Sequence, residues 1–325
     1  MKLQLSTVLL ACCVTGFAQG QGNTPGDDHG PPAIVPHRIN TPHGMGVTAG
    51  STAQITPVIR YNGGPVMGTP TPYLIWYGNW AQSNGSDNAA GQQIVRDFIH
   101  GLSGSNYYVT NASYAGVSGG LNTGGLGNGS NGSQEANDAY SQGTSLSDAQ
   151  IAAVVSRAIA GGLGPAGGDS NGIYFVLTSS DVNESSGFCT QYCGWHTRST
   201  TMSGASGKDI KYAFVGNANR CLNACAEQTV GPNGNAGVDG MVSVIAHEME
   251  ETNTDPDLNA WYNRRGSEDG DMCAWTFGQS PTLGSNGAYY NMTLPGISTP
   301  TRNYLIQREL DVNSKCYVDY VHKKQ

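Results

Sequence analysis

Positive charge is scarce in this chain. Lysine and arginine number 16 against 24 aspartates and glutamates in 325 residues, a formal net charge of −8. No run of cations is long enough to track a phosphate backbone, which argues against nucleic acid as a partner. Charged residues make up 12% and aromatics 8%, while glycine reaches 46 positions, so turns and loops take much of the length. Past the N-terminal stretch, no apolar run is long enough to cross a bilayer. A serine-hydrolase elbow is missing too. Gly116-Val-Ser118-Gly-Gly120 stands in a glycine-rich stretch and reads as a turn rather than as strand-turn-helix. The acids show no spacing that singles out a glycosidase pair.

What is present starts at the N-terminus. Lys2, the apolar stretch Leu3 to Val14 and the small-x-small triplet Gly16-Phe17-Ala18 predict a signal peptide over 1–18, cut after Ala18. The expected product is secreted, free of the membrane and monomeric. Two of the eight cysteines, Cys12 and Cys13, fall in that signal. The other six are Cys189, Cys193, Cys221, Cys225, Cys273 and Cys316. An even count in a secreted chain reads as bridges, with fifteen pairings open on count alone. The expectation is Cys273 with Cys316, the other four paired among themselves, and no free thiol. The two C-x-x-x-C pairs would also suit zinc, in a reducing compartment. Sequons stand at Asn84, Asn111, Asn128, Asn131, Asn183 and Asn291, and several are expected to carry sugar on surface loops.

Residues 19–70 are rich in Gly, Pro, Thr and His and predict an extended arm, with His29, His37 and His43 solvated. Residues 71–325 predict one α/β domain with a mixed central sheet flanked by helices. Tyr73 to Tyr77, Tyr107 to Val109, Ile173 to Leu177 and Tyr212 to Val215 read as strands. Ile94, Val95, Phe98, Ile99 and Leu102 repeat at helical spacing. Ser147-Asp-Ala-Gln150 is a capping box that opens a second helix, ended by Gly161-Gly162. A further helix starts near Val238, and Arg302 to Asp311 reads as a late helix or strand.

The chemistry is concentrated in that third helix. Val238, Met241, Val242, Ile245 and Met249 form one apolar stripe, and Gly240, Val244, His247 and Glu251 share the other side. An H-E-x-x-H helix places two zinc ligands at i and i+4 with Glu at i+1 as general base. The frame here is His247-Glu248-x-x-Glu251, with a carboxylate in place of the second imidazole. Zinc accepts that swap; the added oxygen character also suits manganese or calcium. The third ligand is expected at Asp271, with Asp257 and Glu268 as alternatives. The bland alternative is a solvated charged helix end, with Asp255 and Asp257 as turn residues. His196 follows Cys193-Gly-Trp and reads as a surface-loop histidine.

Several segments together resemble the Exordium / phosphate-induced protein 1 family. They are Leu74-Ile-Trp-Tyr-Gly78, Ile173-Tyr-Phe-Val-Leu-Thr-Ser-Ser-Asp-Val182, Phe188-Cys189 with Cys193-Gly194, the Cys221 and Cys225 pair, Gly237-Val-Asp-Gly-Met241 and Thr254-Asp-Pro256. The resemblance runs from about Tyr73 to Cys316. It implies a secreted, extracellular or cell-wall-associated protein linked to growth responses, with no established catalytic activity. It also implies a departure. Plant members carry small or apolar residues where this chain has His-Glu-x-x-Glu, whereas microbial relatives look like this one. The growth role is therefore not carried over residue by residue.

Two readings follow. One is a zincin-like, peptidase-like zinc hydrolase with His247, Glu251 and Asp271 on the metal and Glu248 as base. The other is a non-catalytic secreted binding or signalling module. A peptide or a cell-wall component is the expected partner of either.

Overall fold

A computed structural model describes residues 58–127 and 134–320. The signal peptide, the arm through residue 57 with its histidines, and the sequons Asn128 and Asn131 lie outside the described residues.

The domain elements run in the order Thr71–Tyr77 (β1), Ala89–Leu102 (α1), Glu135–Asp138 (β2), Asp148–Ala160 (α2), Gly172–Thr178 (β3), Gly194–Ser199 (β4), Ile210–Gly216 (β5) and Ala236–Thr254 (α3). The five strands form one sheet in the order β2-β1-β3-β5-β4. β2, β1, β3 and β5 are mutually parallel, and β4 returns antiparallel along β5 at the edge. Every residue of β3 and β5 is buried, so both faces of the sheet's middle are covered. That explains why these strands read as continuous apolar runs. The mixed α/β sheet agrees with the expectation from sequence.

Each long helix starts on a side-chain cap. Asn88 accepts from Gly91 N at 2.9 Å. Ser147 N donates to Gln150 Oε1 at 2.9 Å, one half of the expected capping box. Asn235 accepts from Val238 N at 3.2 Å and opens α3. At its other end α3 stops where Asp255 turns the chain. The Asp255 carboxylate accepts from the N–H groups of Asn259 and Ala260, each at 2.6 Å. That gives Asp255 the turn-stabilising role expected of it.

α3 packs against α1, β4 and β5. Apart from Gly240, residues Gly237 to Thr254 are all buried. The expected apolar stripe is buried, and the face that carries His247 and Glu251 is buried with it, so the helix is enclosed on both sides. Gly240 makes one close approach possible. A Cβ there would lie 2.9 Å from both Ala226 Cβ and Cys225 O.

One local expectation changes and another is narrowed to its strand form. Tyr107 to Val109 is not a strand. The chain winds into a 3-10 helix over Tyr108–Ser113, with Tyr107, Tyr108 and Tyr114 in the core, so packing overrides aromatic β-propensity. Residues 302–311 hold no helix; Arg302–Tyr304 and Glu309–Leu310 form short strands paired with Met292–Leu294 and Cys316–Tyr317.

The bridges are Cys189–Cys221, Cys193–Cys225 and Cys273–Cys316, as expected for the last pair and for the grouping of the other four. The zinc alternative for the C-x-x-x-C pairs is thereby set aside. The sequons divide. Asn84 is exposed and Asn183 half-buried. Asn111 is fully buried, with no room for a sugar. Asn291 Nδ2, the atom a glycan would take, donates to Phe277 O and Ile306 O at 3.1 and 2.6 Å.

Candidate metal centre

Helical geometry sets the first part of the site. His247 and Glu251 stand one turn apart on α3, which brings His247 Nε2 to 2.9 Å from Glu251 Oε1. The contact is close but misaligned for a hydrogen bond. The loop after α3 supplies a third group, with Asp271 Oδ1 lying 3.8 Å from His247 Nε2. Two hydrogen bonds orient that loop: Asp271 N donates to Glu251 Oε1 at 2.9 Å, and Glu268 N donates to Asp271 Oδ2 at 3.2 Å. Gly270 allows the approach. A Cβ there would stand 2.8 Å from His247 Nδ1 and 2.9 Å from Glu251 Oε1.

One ligand atom from each of His247, Glu251 and Asp271 falls within 4.8 Å of the others. A tetrahedral zinc with bonds of 2.0–2.1 Å separates its ligand atoms by about 3.4 Å. Contacts of 2.9 and 3.8 Å straddle that value. Nitrogen with carboxylate oxygen is a zinc or manganese donor set rather than an all-oxygen calcium set.

The alternatives for the third group go elsewhere. Asp257 is carried past the turn to the sheet edge, where its carboxylate meets Lys211 Nζ at 3.3 Å and Arg198 Nη1 at 3.7 Å. Glu268 points to a different histidine.

That histidine is His196, and the reading of it as a surface-loop residue is wrong. It sits on β4 opposite Ala213, only 2% exposed. Its Nδ1–H donates to Glu248 Oε2 at 3.3 Å and lies 3.6 Å from Glu251 Oε2. Its Nε2 lies 3.6 Å from Glu268 Oε1. The signal in sequence was slight. Gly194–Ser199 is a polar edge strand, and its inward side is revealed only by the acids that fold onto it.

The electrostatics follow from burial and from these pairings. Burial pushes Glu248, Glu268 and Asp271 upward. Glu251 goes the other way: burial would raise it, but the rings of His247 and His196 bring it down to about 2. Burial would lower His247, yet Glu251, Glu248 and Asp271 hold it up at about 9. The solvated-helix-end reading does not survive this, since His247, Glu248 and Glu251 are 0, 1 and 3% exposed.

A family model described as phosphate-induced protein 1 conserved region matches residues 59–316. The chain belongs to the phosphate-induced protein 1 family. Among curated relatives of this family, Protein EXORDIUM-like 3 of Arabidopsis thaliana is 34% identical over 284 residues, covering 77% of this chain and 79% of the relative. Protein EXORDIUM-like 5 of the same plant is 30% identical, covering 73% and 68%. Protein PHOSPHATE-INDUCED 1 of Nicotiana tabacum is 30% identical, covering 71% and 74%. No solved structure matches the chain. The resemblance read from scattered motifs is thus a family membership. Family membership and three disulfides are both consistent with an extracellular setting.

Proposed function

We propose that this chain is a secreted, non-catalytic binding module of the Exordium type, in which His247, Glu251 and Asp271 hold one zinc-class divalent ion. The ion ties the 263–273 loop to α3. Burial of the trio is the observation that carries this reading. Three protein ligands is the number expected of a catalytic zinc, but catalysis also needs an open coordination position that substrate can reach. With His247 at 0% and Glu251 at 3% exposure, only Asp271 approaches the surface. A metal-bound water at such a place attacks nothing until the loop moves. Binding of an ion would displace protons from the raised acids and the charged rings. A peptide or cell-wall component remains the partner class. Tyr61, 56% exposed and 5.3 Å from the Trp261 ring, offers an aromatic surface for such contact.

A second reading, the zincin-like hydrolase, is favoured by Glu248. The residue at the general-base position of the helix is held by His196 beside the trio, where it would take a proton from an attacking water. One experiment separates the readings. The secreted protein is assayed for zinc by elemental analysis, for melting with and without chelator, and for cleavage of a mixed peptide library, beside Glu248→Gln. About one zinc or more, a melting point lowered by chelation and no cleavage support the binding module. Zinc-dependent cleavage that falls 10²–10⁴-fold in Glu248→Gln transfers the function to the hydrolase. Less than about a tenth of an equivalent of metal removes the ion from both.

A further inference from the structure

His196 stands at the centre of a second cluster. Ligand atoms of His196, Glu251 and Glu268 fall within 4.8 Å of one another, and all three residues are buried. His196 Nε2 and Glu268 Oε1 face each other at 3.6 Å, and neither has a hydrogen-bond partner. The other ring nitrogen is already committed to Glu248. This is how a metal-bound histidine is usually arranged, with one nitrogen on the ion and the other donating to a carboxylate. The 3.6 Å separation lies within about 0.3 Å of what two ligands sharing an ion at 2.0–2.1 Å require.

Glu251 belongs to both clusters. Its Oε1 is the oxygen near His247, and its Oε2 lies 3.6 Å from His196 Nδ1, with a ligand atom of Glu251 within 4.8 Å of those of His196 and Glu268. We propose that His196, Glu251 and Glu268 form a second divalent-cation site of the zinc or manganese class, joined to the first by the Glu251 carboxylate. The bridge rests on the metal reading of the first trio, while the His196 cluster has its own atoms. Charge agrees. Glu248, Glu251, Glu268 and Asp271 bring four negative charges when ionised, against two neutral imidazoles. One divalent ion would leave two of those charges buried, and two ions leave none. The neighbouring acids need no ion. Asp255 accepts from two backbone N–H groups, and Asp269 accepts from Thr254 Oγ1 and Gly270 N.

The test counts ions. The full secreted chain is saturated with Zn²⁺, dialysed and weighed by native mass spectrometry, beside Glu268→Gln and Asp271→Asn, with circular dichroism confirming each fold. The expected counts are two for wild type and one for each variant. A wild type holding one ion, kept by Glu268→Gln and lost in Asp271→Asn, overturns the second site and leaves the first standing. A single ion lost in Glu268→Gln but kept in Asp271→Asn does the reverse: it supports the His196 site and removes the first. No ion at all overturns both. Loading the wild type with Mn²⁺ needs no variant. Electron paramagnetic resonance of an exchange-coupled pair supports the shared carboxylate, and the six-line spectrum of isolated ions overturns it.

Discussion

Glu250 and Glu251 are consecutive on α3, and both side chains are enclosed by protein. Glu251 faces two imidazoles. Glu250 faces acids, with Asp269 and Glu309 acting on it in a pocket beside Tyr107 and Tyr108. Burial alone drives a carboxyl toward its neutral form. In the Glu250 pocket no cation reverses that: burial and then Asp269 push Glu250 well above the usual carboxylate range, and burial, Glu250 and Asp269 do the same to Glu309. On the other side His247 and His196 reverse it, and Glu251 stays ionised. One helix therefore carries a pocket that keeps its carboxyls protonated and another that keeps one ionised, and the difference lies in two histidines rather than in the acids.

The sharpest way to break this contrast is an isosteric amide. Glu251→Gln is expected to abolish tight metal binding altogether, because every proposed ligand set passes through it. Retention of a full equivalent of zinc in dialysed protein would refute its role. Next in size is the bridge that anchors the loop. Replacing Cys273 and Cys316 with serine opens a 43-residue span and should cost about 4 kcal/mol on the chain-entropy account, read as a lowered denaturant midpoint. The same double variant should bind zinc more weakly, since it frees Asp271 but leaves α3 in place.

Gly270→Ala is a steric probe of the histidine side alone. Its Cβ would press on His247 and Glu251 at 2.8–2.9 Å, so about 1–3 kcal/mol of stability and most of the bound metal should be lost. An alanine variant with unchanged metal content would show that the loop gives way freely. Glu309→Gln probes the other pocket. A folded-state pKa above the unfolded value of about 4.5 means the stability from Glu309 is fully present in acid and is lost as pH rises toward the raised folded value. Glutamine removes that slope of about 1.4 kcal/mol per pH unit. The variant should therefore gain on wild type from about pH 5 upward, in melts scanned against pH. Smallest of all, Asn111→Gln should leave the mass of the secreted glycoprotein unchanged, whereas Asn84→Gln should lower it by one glycan. A glycan mapped to Asn111 would contradict its buried position.

The sequence disclosed the sheet where strands are buried on both faces, as in Ile173 to Leu177 and Tyr212 to Val215, because such strands carry unbroken apolar runs. It disclosed His247, Glu251 and Asp271 because helical spacing and one short loop bring them together. It hid what depends on distant partners. His196 lies 51 residues before His247 in a polar edge strand, and only the fold of β4 against α3 turns it inward. Asp257 stood as an alternative to Asp271 in sequence, and Arg198 and Lys211 from two other strands claim it instead. Tyr107 to Val109 had strand-forming side chains but no strand to pair with.

The two bridges Cys189–Cys221 and Cys193–Cys225 span 32 residues each and start four residues apart. Inside the span that both bridges close lies the exposed turn between β4 and β5, around Thr200 and Thr201, open to a protease. A cut there releases nothing. Cys189 and Cys193 on the first fragment stay bonded to Cys221 and Cys225 on the second, so the fragments of a nicked chain stay joined under non-reducing conditions and β4, with His196, stays tied to the rest of the domain. Damage of that kind becomes visible only after reduction.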